Sequence, residues 1–490
     1  MQLDASDRAF LSELLEVIFG NPFSAERMAK IQRLAPGWSV DELIRDRSIL
    51  AGVVTKRLAR YASNGVVSRL RFAGEDQRLI EYALLYEAYV HAFPLFDRLT
   101  NEQANRSGAP IEVSFANEVL GDLVGRGFSQ NQATHYFAVF FQLRRAFYFL
   151  ERQLVGDAPS MRQLRLALWN NVFTHDLQDY ERTLWNRMED FSTLLLGETG
   201  TGKGAAAAAI GRSGFIPYLP DKRRFAANFA DTFIALNLSQ FPESLIESEL
   251  FGHRKGSFTG AIDHHRGLFE LCSPHGVLFL DEIGEVGGPV QIKLLQVLQE
   301  RVFTPLGDHE KRRFTGRVIA ATNRSLTELR SGNHFRSDFY YRLCSDVITL
   351  PTLRQRIMER PAELEQLVRL LVQRMTGDSN DEIANRVLET LRSDLPRDYP
   401  WPGNVRELEQ AVRRIILTGH YQGDRASPPQ SSEEGFVDAV RAGALSADEL
   451  VGRYCAILHQ RSPNYSTVAS CTGLDRRTVR KHVLRFGHQS

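Results

Sequence analysis

The chain has 490 residues, of which 43% are hydrophobic and 24% charged, and its formal net charge is +1. This length exceeds what one hydrophobic core usually supports, so about three domains are expected. The near-zero net charge excludes a global attraction to nucleic acid, and any DNA binding has to come from a local basic patch.

Cysteine spacing and apolar runs indicate the compartment. The four cysteines lie far apart and lack the spacing of a zinc site, which fits free thiols in a reducing cytosol. The first residues lack the basic start and apolar run of a signal peptide. No run of about 18 apolar residues occurs, so no membrane span is expected. We therefore expect a cytoplasmic protein with no membrane contact.

Residues 1–154 are predicted to form an all-α N-terminal regulatory domain. Segments 41–61, 77–99 and 130–154 carry apolar residues at helical spacing. The third segment has aromatic residues on nearly every face, which favours burial in a helix bundle. A pocket for an aromatic ligand is the alternative. Residues 1–154 lack the acidic pair and distant lysine of a phosphoryl receiver domain. The sequence does not identify the signal that this domain would sense.

Residues 155–350 are predicted to form an α/β core. Short apolar runs separated by helical segments are typical of a parallel sheet with helices on both faces. Two extended segments, 170–190 and 213–232, are interpreted as insertions on the outer surface. The five predicted strands cover residues 193–196, 233–236, 277–280, 317–321 and 347–350.

A phosphate-binding loop is predicted between the first strand and an alanine-rich helix. Its glycines allow backbone N–H groups to surround a phosphate, and the helix adds its positive N-terminal end. Lys203 supplies a mobile cation. Gly204 stands where many such loops carry a hydroxyl that ligates magnesium, so Mg²⁺ would be held by phosphate oxygens, water and Asp281. The residues expected to bind ATP are Gly197, Glu198, Thr199, Gly200, Thr201, Gly202, Lys203 and Gly204.

Residues 276–282 read Gly-Val-Leu-Phe-Leu-Asp-Glu and predict a buried strand that ends in two carboxylates. Ligands bind at the carboxyl ends of strands in open α/β sheets. Asp281 is expected to orient Mg²⁺ through water, and Glu282 to polarise the attacking water. Together with the phosphate-binding loop, this pair predicts an ATPase.

Residues 249–261 read Glu-Leu-Phe-Gly-His-Arg-Lys-Gly-Ser-Phe-Thr-Gly-Ala and lie between the two motifs. Gly256 and Gly260 flank Phe258 and Thr259, so the tip can bend and carries little bulk. This order of motifs resembles the AAA+ domain of bacterial enhancer-binding proteins, the activators of sigma-54 RNA polymerase, with Ser257 in place of an alanine. The resemblance implies that Phe258 and Thr259 contact sigma-54.

The same resemblance implies roles for several polar residues and a helical lid over residues 351–420. Asn237 corresponds to a nucleotide-sensing switch, although it could simply cap a turn, and Asn323 corresponds to a sensor. Arg336 and Arg342 correspond to arginine fingers that act on a neighbouring subunit's ATP, although such arginines are more often surface ion-pair partners. Arg406, in the motif at residues 399–408, corresponds to a second sensor.

The C-terminal part is predicted to bind DNA. Residues 421–443 are rich in Pro, Ser and Gly and predict a linker. Residues 444–490 show a helix-turn-helix pattern that resembles the Fis-type domain of many enhancer-binding proteins. Asp475 can cap the last helix, in which Val479, Val483 and Leu484 can pack inward. The residues expected to face double-stranded DNA are Arg476, Arg477, Thr478, Arg480 and Lys481, with Arg485 also facing the groove or the phosphates.

These features together predict an ATP-hydrolysing activator that binds DNA upstream of a promoter. Through the resemblance, the chain is expected to form a homo-oligomer, from a dimer to a hexameric ring, and to open the closed complex of sigma-54 RNA polymerase holoenzyme. Two alternatives remain. One is a DNA-binding repressor whose ATPase controls oligomeric state, and the other is a remodelling ATPase with a different substrate.

Overall fold

The structure, a computed structural model, divides into two compact units. The first comprises residues 1–388 and 399–413, and the second comprises residues 389–398 and 414–490. Among the described helices, none is both long enough and apolar enough to cross a membrane. The described residues are 1–258, 260–331, 335–423, 436–437, 439–440, 443 and 445–486.

The N-terminal third of the chain consists of helices. The predicted helix at 41–61 is instead two helices, because Asp46 Oδ1 accepts a hydrogen bond from the Ser48 backbone N–H at the break (2.9 Å). The segment 77–99 is also divided, with Pro94 in the first turn of its second helix, where a missing N–H costs little. The helices are Ala5–Phe19, Ala25–Leu34, Val40–Arg45, Ser48–Leu58, Gly74–His91, Phe93–Ala104, Ala116–Gly125 and Gln130–Arg152.

Within the described residues, nine strands form one large sheet and two small hairpins. The large sheet is parallel, has the order β4-β5-β8-β1-β9, and confirms the five predicted strands. Asn237 pairs with Asp281 in its register, so the carboxyl ends of β4 and β5 meet at one edge. The strands are β1 (Thr193–Leu196), β2 (Tyr218–Leu219), β3 (Arg224–Phe225), β4 (Phe233–Asn237), β5 (Val277–Asp281), β6 (Val302–Phe303), β7 (Arg312–Arg313), β8 (Arg317–Thr322) and β9 (Asp346–Thr349).

Helices accompany the sheet and follow it along the chain. The helix after β1 packs closely, as its alanines predicted, because Ala206, Ala207 and Ala209 are fully buried. The helices before and between the strands are Pro159–Phe173, Leu177–Asp179, Lys203–Gly211, Glu243–Phe251, Leu268–Leu271, Gly288–Glu300, Leu326–Ser331 and Ser337–Leu343. Those after β9 are Leu353–Glu359, Ala362–Thr376, Asp381–Asp394, Asn404–Thr418, Ala447–Arg461, Tyr465–Thr472 and Arg476–Phe486.

The N-terminal helices and one face of the sheet share a single hydrophobic core. The prediction that segments 170–190 and 213–232 lie on the outer surface is wrong. Phe225 and Phe229 are each only 1% exposed, and the Phe225 ring stacks on Phe141 at a centroid distance of 4.3 Å. In the other segment, Tyr180 is also 1% exposed. Aromatic side chains from both segments are buried because they pack against the helix Gln130–Arg152.

Polar contacts join that same helix to the end of the helix Lys203–Gly211. The Arg145 side chain is fully buried and donates to the carbonyl oxygens of Arg212 (2.8 Å) and Gly214 (2.7 Å). Gln142 Nε2 donates to the Ser213 carbonyl at 3.0 Å. Burial lowers the pKa of Arg145 to about 9, so the guanidinium stays charged at neutral pH. The carbonyl oxygens of residues 212–214 therefore accept hydrogen bonds from side chains of the N-terminal helices.

The last three helices enclose a small core of their own. Cys455, Val468, Val479 and Val483 are its buried members. The prediction that Leu484 packs inward is wrong, because its side chain is 51% exposed while Val479 and Val483 already occupy the inner face.

We predict that Arg145→Met lowers the free energy of unfolding by about 2 kcal/mol, because hydrogen bonds from a charged group contribute about 1.5–3 kcal/mol and buried carbonyls would lose their donor. Urea denaturation of the full chain measures this change. Arg152→Met, at the exposed end of the same helix, is the matched control and should change the value by less than about 0.5 kcal/mol. Equal denaturation midpoints for the two variants would contradict the assigned contact.

Candidate functional site

The loop after β1 has the backbone shape that its glycines predict. Gly200 and Gly202 have φ angles of 81° and 100°, in the left-handed region that favours glycine. Gly202 also stands directly before the helix Lys203–Gly211. Lys203 Nζ donates to the carbonyls of Gly197 (2.8 Å) and Glu198 (3.3 Å). The ammonium group is therefore held inside the loop, where a phosphate group would be bound.

The two carboxylates at the end of β5 lie in the electrostatic environment of this lysine. Burial lowers the pKa of Lys203, whereas the negative charges of Glu282 and Asp281 oppose that change. Glu282 has a φ of 55°, a left-handed conformation that is strained for a residue with a side chain. Its backbone N–H donates to Asp281 Oδ1 at 3.1 Å. The structure thus brings the predicted cation and the predicted acidic pair together.

The turn at residues 401–403 and the first residues of the helix Asn404–Thr418 pack directly on the phosphate-binding loop. A Cβ atom on Gly200 would lie 2.1 Å from the Gly403 carbonyl oxygen, so only glycine allows this approach. The Val405 N–H donates to the Gly200 carbonyl at 3.1 Å. Arg406 is exposed, its Cβ lies beside Gly200, and its charge adds to the lowering of the Lys203 pKa. The predicted second sensor therefore lies at the loop.

Asn404, the first residue of this helix, is one to which sequence reasoning assigned no role. Its side chain is fully buried and donates to Glu198 Oε2 (3.1 Å) and to the Thr199 carbonyl (3.0 Å). Its Oδ1 atom accepts from the Leu353 N–H at 2.8 Å. Glu198 also accepts from Arg354 at 2.6 Å. The available signal was the Gly-Asn pair itself, since asparagine tolerates the left-handed conformation that it adopts here (φ 52°).

The two asparagines predicted as sensors lie at the ends of β4 and β8, the two strands that flank β5 in the sheet. Asn237 Oδ1 accepts from the backbone N–H of Ser239 (3.0 Å) and from its hydroxyl (2.7 Å), which is the capping arrangement. Among the described residues, no hydrogen bond joins Asn237 to Glu282. Asn323 follows β8 directly and is exposed. Both asparagines lie at the carboxyl ends of strands, as expected.

The two arginines predicted as fingers have partners within the chain. Arg336 is exposed and forms an ion pair with Asp338 at 2.8 Å. Arg342 is half-buried and donates from Nε to the Leu298 carbonyl at 2.9 Å. The exposed pair is weak, because ion pairs in solvent contribute about 0–1 kcal/mol.

The loop at residues 252–265 is anchored at its base and exposed near its tip. His253 pairs with His265 as an antiparallel bridge, and Arg254 forms an ion pair with Asp308 at 2.7 Å. Phe258 is 37% exposed, with its ring edge-on to His253 at 5.0 Å. Thr259, the other residue predicted to contact sigma-54, lies outside the described residues.

The predicted DNA-facing residues are on the helix Arg476–Phe486. Asp475 caps this helix, as expected, by accepting from the N–H groups of Arg477 (2.8 Å) and Thr478 (3.1 Å). The Thr478 hydroxyl also donates to Asp475. Arg485 forms an ion pair with Asp448 at 2.8 Å. Arg485 is exposed, as are the other four cations of the helix: Arg476, Arg477, Arg480 and Lys481.

The donor set at the sheet edge fits a nucleotide with Mg²⁺ better than a metal held by protein ligands alone. No group of three or more His, Cys, Asp or Glu side chains that could hold a metal occurs in the described part of the chain. Mg²⁺ usually takes one or two carboxylates, and its other ligands are phosphate oxygens and water. Asp281 at the end of β5 can supply such a carboxylate beside Lys203.

Comparison with known proteins is consistent with this geometry. The model of the sigma-54 interaction domain matches residues 174–349, and that of the AAA+ ATPase lid domain matches residues 358–424. The Transcriptional regulatory protein ZraR of Klebsiella oxytoca is 36% identical over 338 residues, which cover 68% of each chain.

Two further relatives show how much of each protein is matched. The Regulatory protein AtoC of Escherichia coli (strain K12) is 32% identical over 354 residues, which are 68% of this chain and 73% of that protein. The Nitrogen fixation protein VnfA of Azotobacter vinelandii is 42% identical over 312 residues, 60% of this chain but only 54% of its own length. The five-stranded parallel sheet and the lid form an AAA+ fold. The chain belongs to the family of transcriptional regulators that carry a sigma-54 interaction domain on an AAA+ ATPase core.

Proposed function

We propose that this chain hydrolyses ATP to convert a closed promoter complex of sigma-54 RNA polymerase holoenzyme into an open one, while it is bound to double-stranded DNA upstream. The observation that carries the proposal is the convergence of Lys203, the Asp281–Glu282 pair and Arg406 at one edge of the sheet. Its domains would be a helical regulatory region at 1–154, an ATPase core at 155–350, a lid at 351–420, a linker at 421–443 and a DNA-binding domain at 444–490.

In this proposal, the loop at residues 197–204 binds the phosphates of ATP. Lys203 would exchange its two carbonyl partners for phosphate oxygens, which restore the favourable environment for its charge. Asp281 would hold Mg²⁺, which neutralises phosphate charge when bound. Glu282 would orient the attacking water, and its strained backbone conformation is typical of a catalytic position.

Nucleotide state would be sensed by Asn237, Asn323 and Arg406, all at the carboxyl edge of the sheet or on the loop. A hexameric ring would bring Arg336 and Arg342 to a neighbouring subunit's ATP. Arg336 can leave Asp338 at little cost because the pair is exposed. A guanidinium suits this role because its planar fork binds phosphate oxygens and stays charged.

Phe258 and Thr259 would contact sigma-54. A half-exposed phenylalanine beside two left-handed glycines is a small apolar surface that a partner can cover. The anchored base, with its His253–His265 bridge, would transmit movements of the ATPase core to this tip.

The exposed cations Arg476, Arg477, Arg480 and Lys481 would contact DNA from the last helix of a helix-turn-helix. The Thr478 hydroxyl is already bonded to Asp475, so the arginines and the lysine would supply most of the contacts. A protein that acts on promoters in this way would work in the cytoplasm.

Glu282→Gln should abolish most ATP turnover, by about 10²–10⁴-fold, because an amide cannot act as the general base that positions water. ATP affinity should change little, since the phosphate contacts come from the loop. Steady-state hydrolysis and equilibrium nucleotide binding measure the two effects. Glu285→Gln, which removes a nearby carboxylate paired with Arg324 at 2.8 Å, is the control and should stay active. Turnover of Glu282→Gln within a few-fold of wild type would refute the assignment.

Phe258→Ala should separate hydrolysis from partner binding. We expect ATPase activity within about two-fold of wild type, but at least about ten-fold weaker binding of sigma-54 in the presence of an ATP transition-state analogue, as for loss of an aromatic anchor. Ile262→Ala is the control, because Ile262 is 73% exposed in the same loop but lies beyond the tip. Equal sigma-54 binding by wild type and Phe258→Ala would contradict the proposed contact. The same contact predicts that Thr259→Ala also binds sigma-54 more weakly in this assay.

Deletion of residues 444–490 should abolish specific DNA binding and leave ATP hydrolysis largely intact. Arg480→Ala should weaken binding and reduce the slope of log affinity against log salt by about one, because one phosphate contact is lost. Arg453→Ala, on the helix Ala447–Arg461 rather than on the last helix, is the control and should leave that slope unchanged. A specific footprint that survives the deletion would overturn the DNA-binding assignment.

A further inference from the structure

A cavity of about 180 Å³ lies among the N-terminal helices, away from the nucleotide site. Its walls are mainly aromatic and aliphatic, and Tyr86, Tyr89 and Phe140 are among the residues that line it. Burial raises the pKa of both Tyr86 and Tyr89 to about 12, so their phenol groups stay neutral and can donate hydrogen bonds. For comparison, a dry apolar cavity of about 150 Å³ binds benzene. The volume therefore fits one six-membered ring with a small substituent.

Two arginines at this cavity carry positive charge that no carboxylate neutralises directly. Arg27 is half-buried and donates from Nε to the Val17 carbonyl at 2.8 Å. The Arg47 guanidinium lies over the Phe147 ring, 3.8 Å from its centroid. Within the described part of the chain, neither arginine forms an ion pair. Unpaired guanidinium groups beside an apolar cavity are suited to an anion, above all a planar carboxylate.

The carboxylates that line the cavity are engaged elsewhere. Asp46 accepts hydrogen bonds from the backbone N–H of Ser48 (2.9 Å) and from its hydroxyl (2.5 Å). Glu181 accepts from the Tyr82 hydroxyl at 3.3 Å, and burial raises the pKa of this carboxyl. Among the described residues, neither Asp46 nor Glu181 forms an ion pair with Arg27 or Arg47, so both guanidinium groups remain available to an anion.

We propose that this cavity binds a small aromatic carboxylate, with its ring among the tyrosines and phenylalanines and its carboxylate on Arg47 and Arg27. The site would have one wall from the segment that leads into the ATPase core, because Trp169 and Glu181 line it together with the N-terminal helices. A bound ligand would therefore contact both parts of the first unit. This binding does not depend on the proposed activity at promoters.

Isothermal titration of the full-length protein with benzoate tests the proposal. We expect one site per chain and at least about ten-fold weaker binding of two probes that each lack one feature. Benzyl alcohol keeps the ring without the charge, and acetate keeps the charge without the ring. Benzoate that binds no better than either probe would overturn the proposed ligand class.

Variants locate the site. Arg47→Gln removes a guanidinium on an exposed side chain and should weaken benzoate at least about ten-fold. Arg33→Gln is the matched control, because Arg33 lies on the same helix as Arg27 but pairs with Glu13 at 2.6 Å and should bind benzoate as wild type does. Met28→Trp, which fills the cavity from its wall, should also abolish binding. Unchanged affinity in both Arg47→Gln and Met28→Trp would place benzoate elsewhere and refute the site.

Discussion

The helix Lys203–Gly211 is held by hydrogen bonds at both of its ends, and the two sets of donors come from distant parts of the chain. At its N-terminal end, Asn404 of the helix Asn404–Thr418 donates a hydrogen bond to the phosphate-binding loop. At its C-terminal end, Arg145 and Gln142 bind the carbonyls of residues 212–214. One short helix therefore connects the phosphate-binding loop at its beginning with the N-terminal helices at its end.

The shared hydrophobic core makes this connection stiff. Segments 170–190 and 213–232 place buried aromatic rings between the sheet and the helix Gln130–Arg152, so the first unit cannot lose its N-terminal helices without exposing Phe225 and Phe229. Close-packed protein interiors have low compressibility and transmit small displacements. The N-terminal helices therefore share one hydrophobic core and one compact unit with the sheet that carries the phosphate-binding loop.

Local patterns predicted the sheet and both phosphate-site motifs, because β1, β5 and their flanking residues are specified by short runs of sequence. They failed for residues 213–232, since the rings that cover Phe225 lie on a helix about 80 residues earlier. A signal was present, because so many aromatic residues are costly in an exposed insertion. Asn404 was missed for a similar reason. Its partners Glu198 and Thr199 are about 200 residues away, and only the folded lid brings them together.

Open-complex formation with sigma-54 holoenzyme tests the central claim most directly. Full-length protein, holoenzyme and a promoter with its upstream site would be mixed, and melted DNA at the start site would be detected by permanganate reactivity. If ATP hydrolysis drives opening, the promoter DNA should melt with ATP but not with ADP or a non-hydrolysable analogue. ATP hydrolysis by the wild-type chain without any melting, on a promoter that an established activator opens in the same assay, would contradict it.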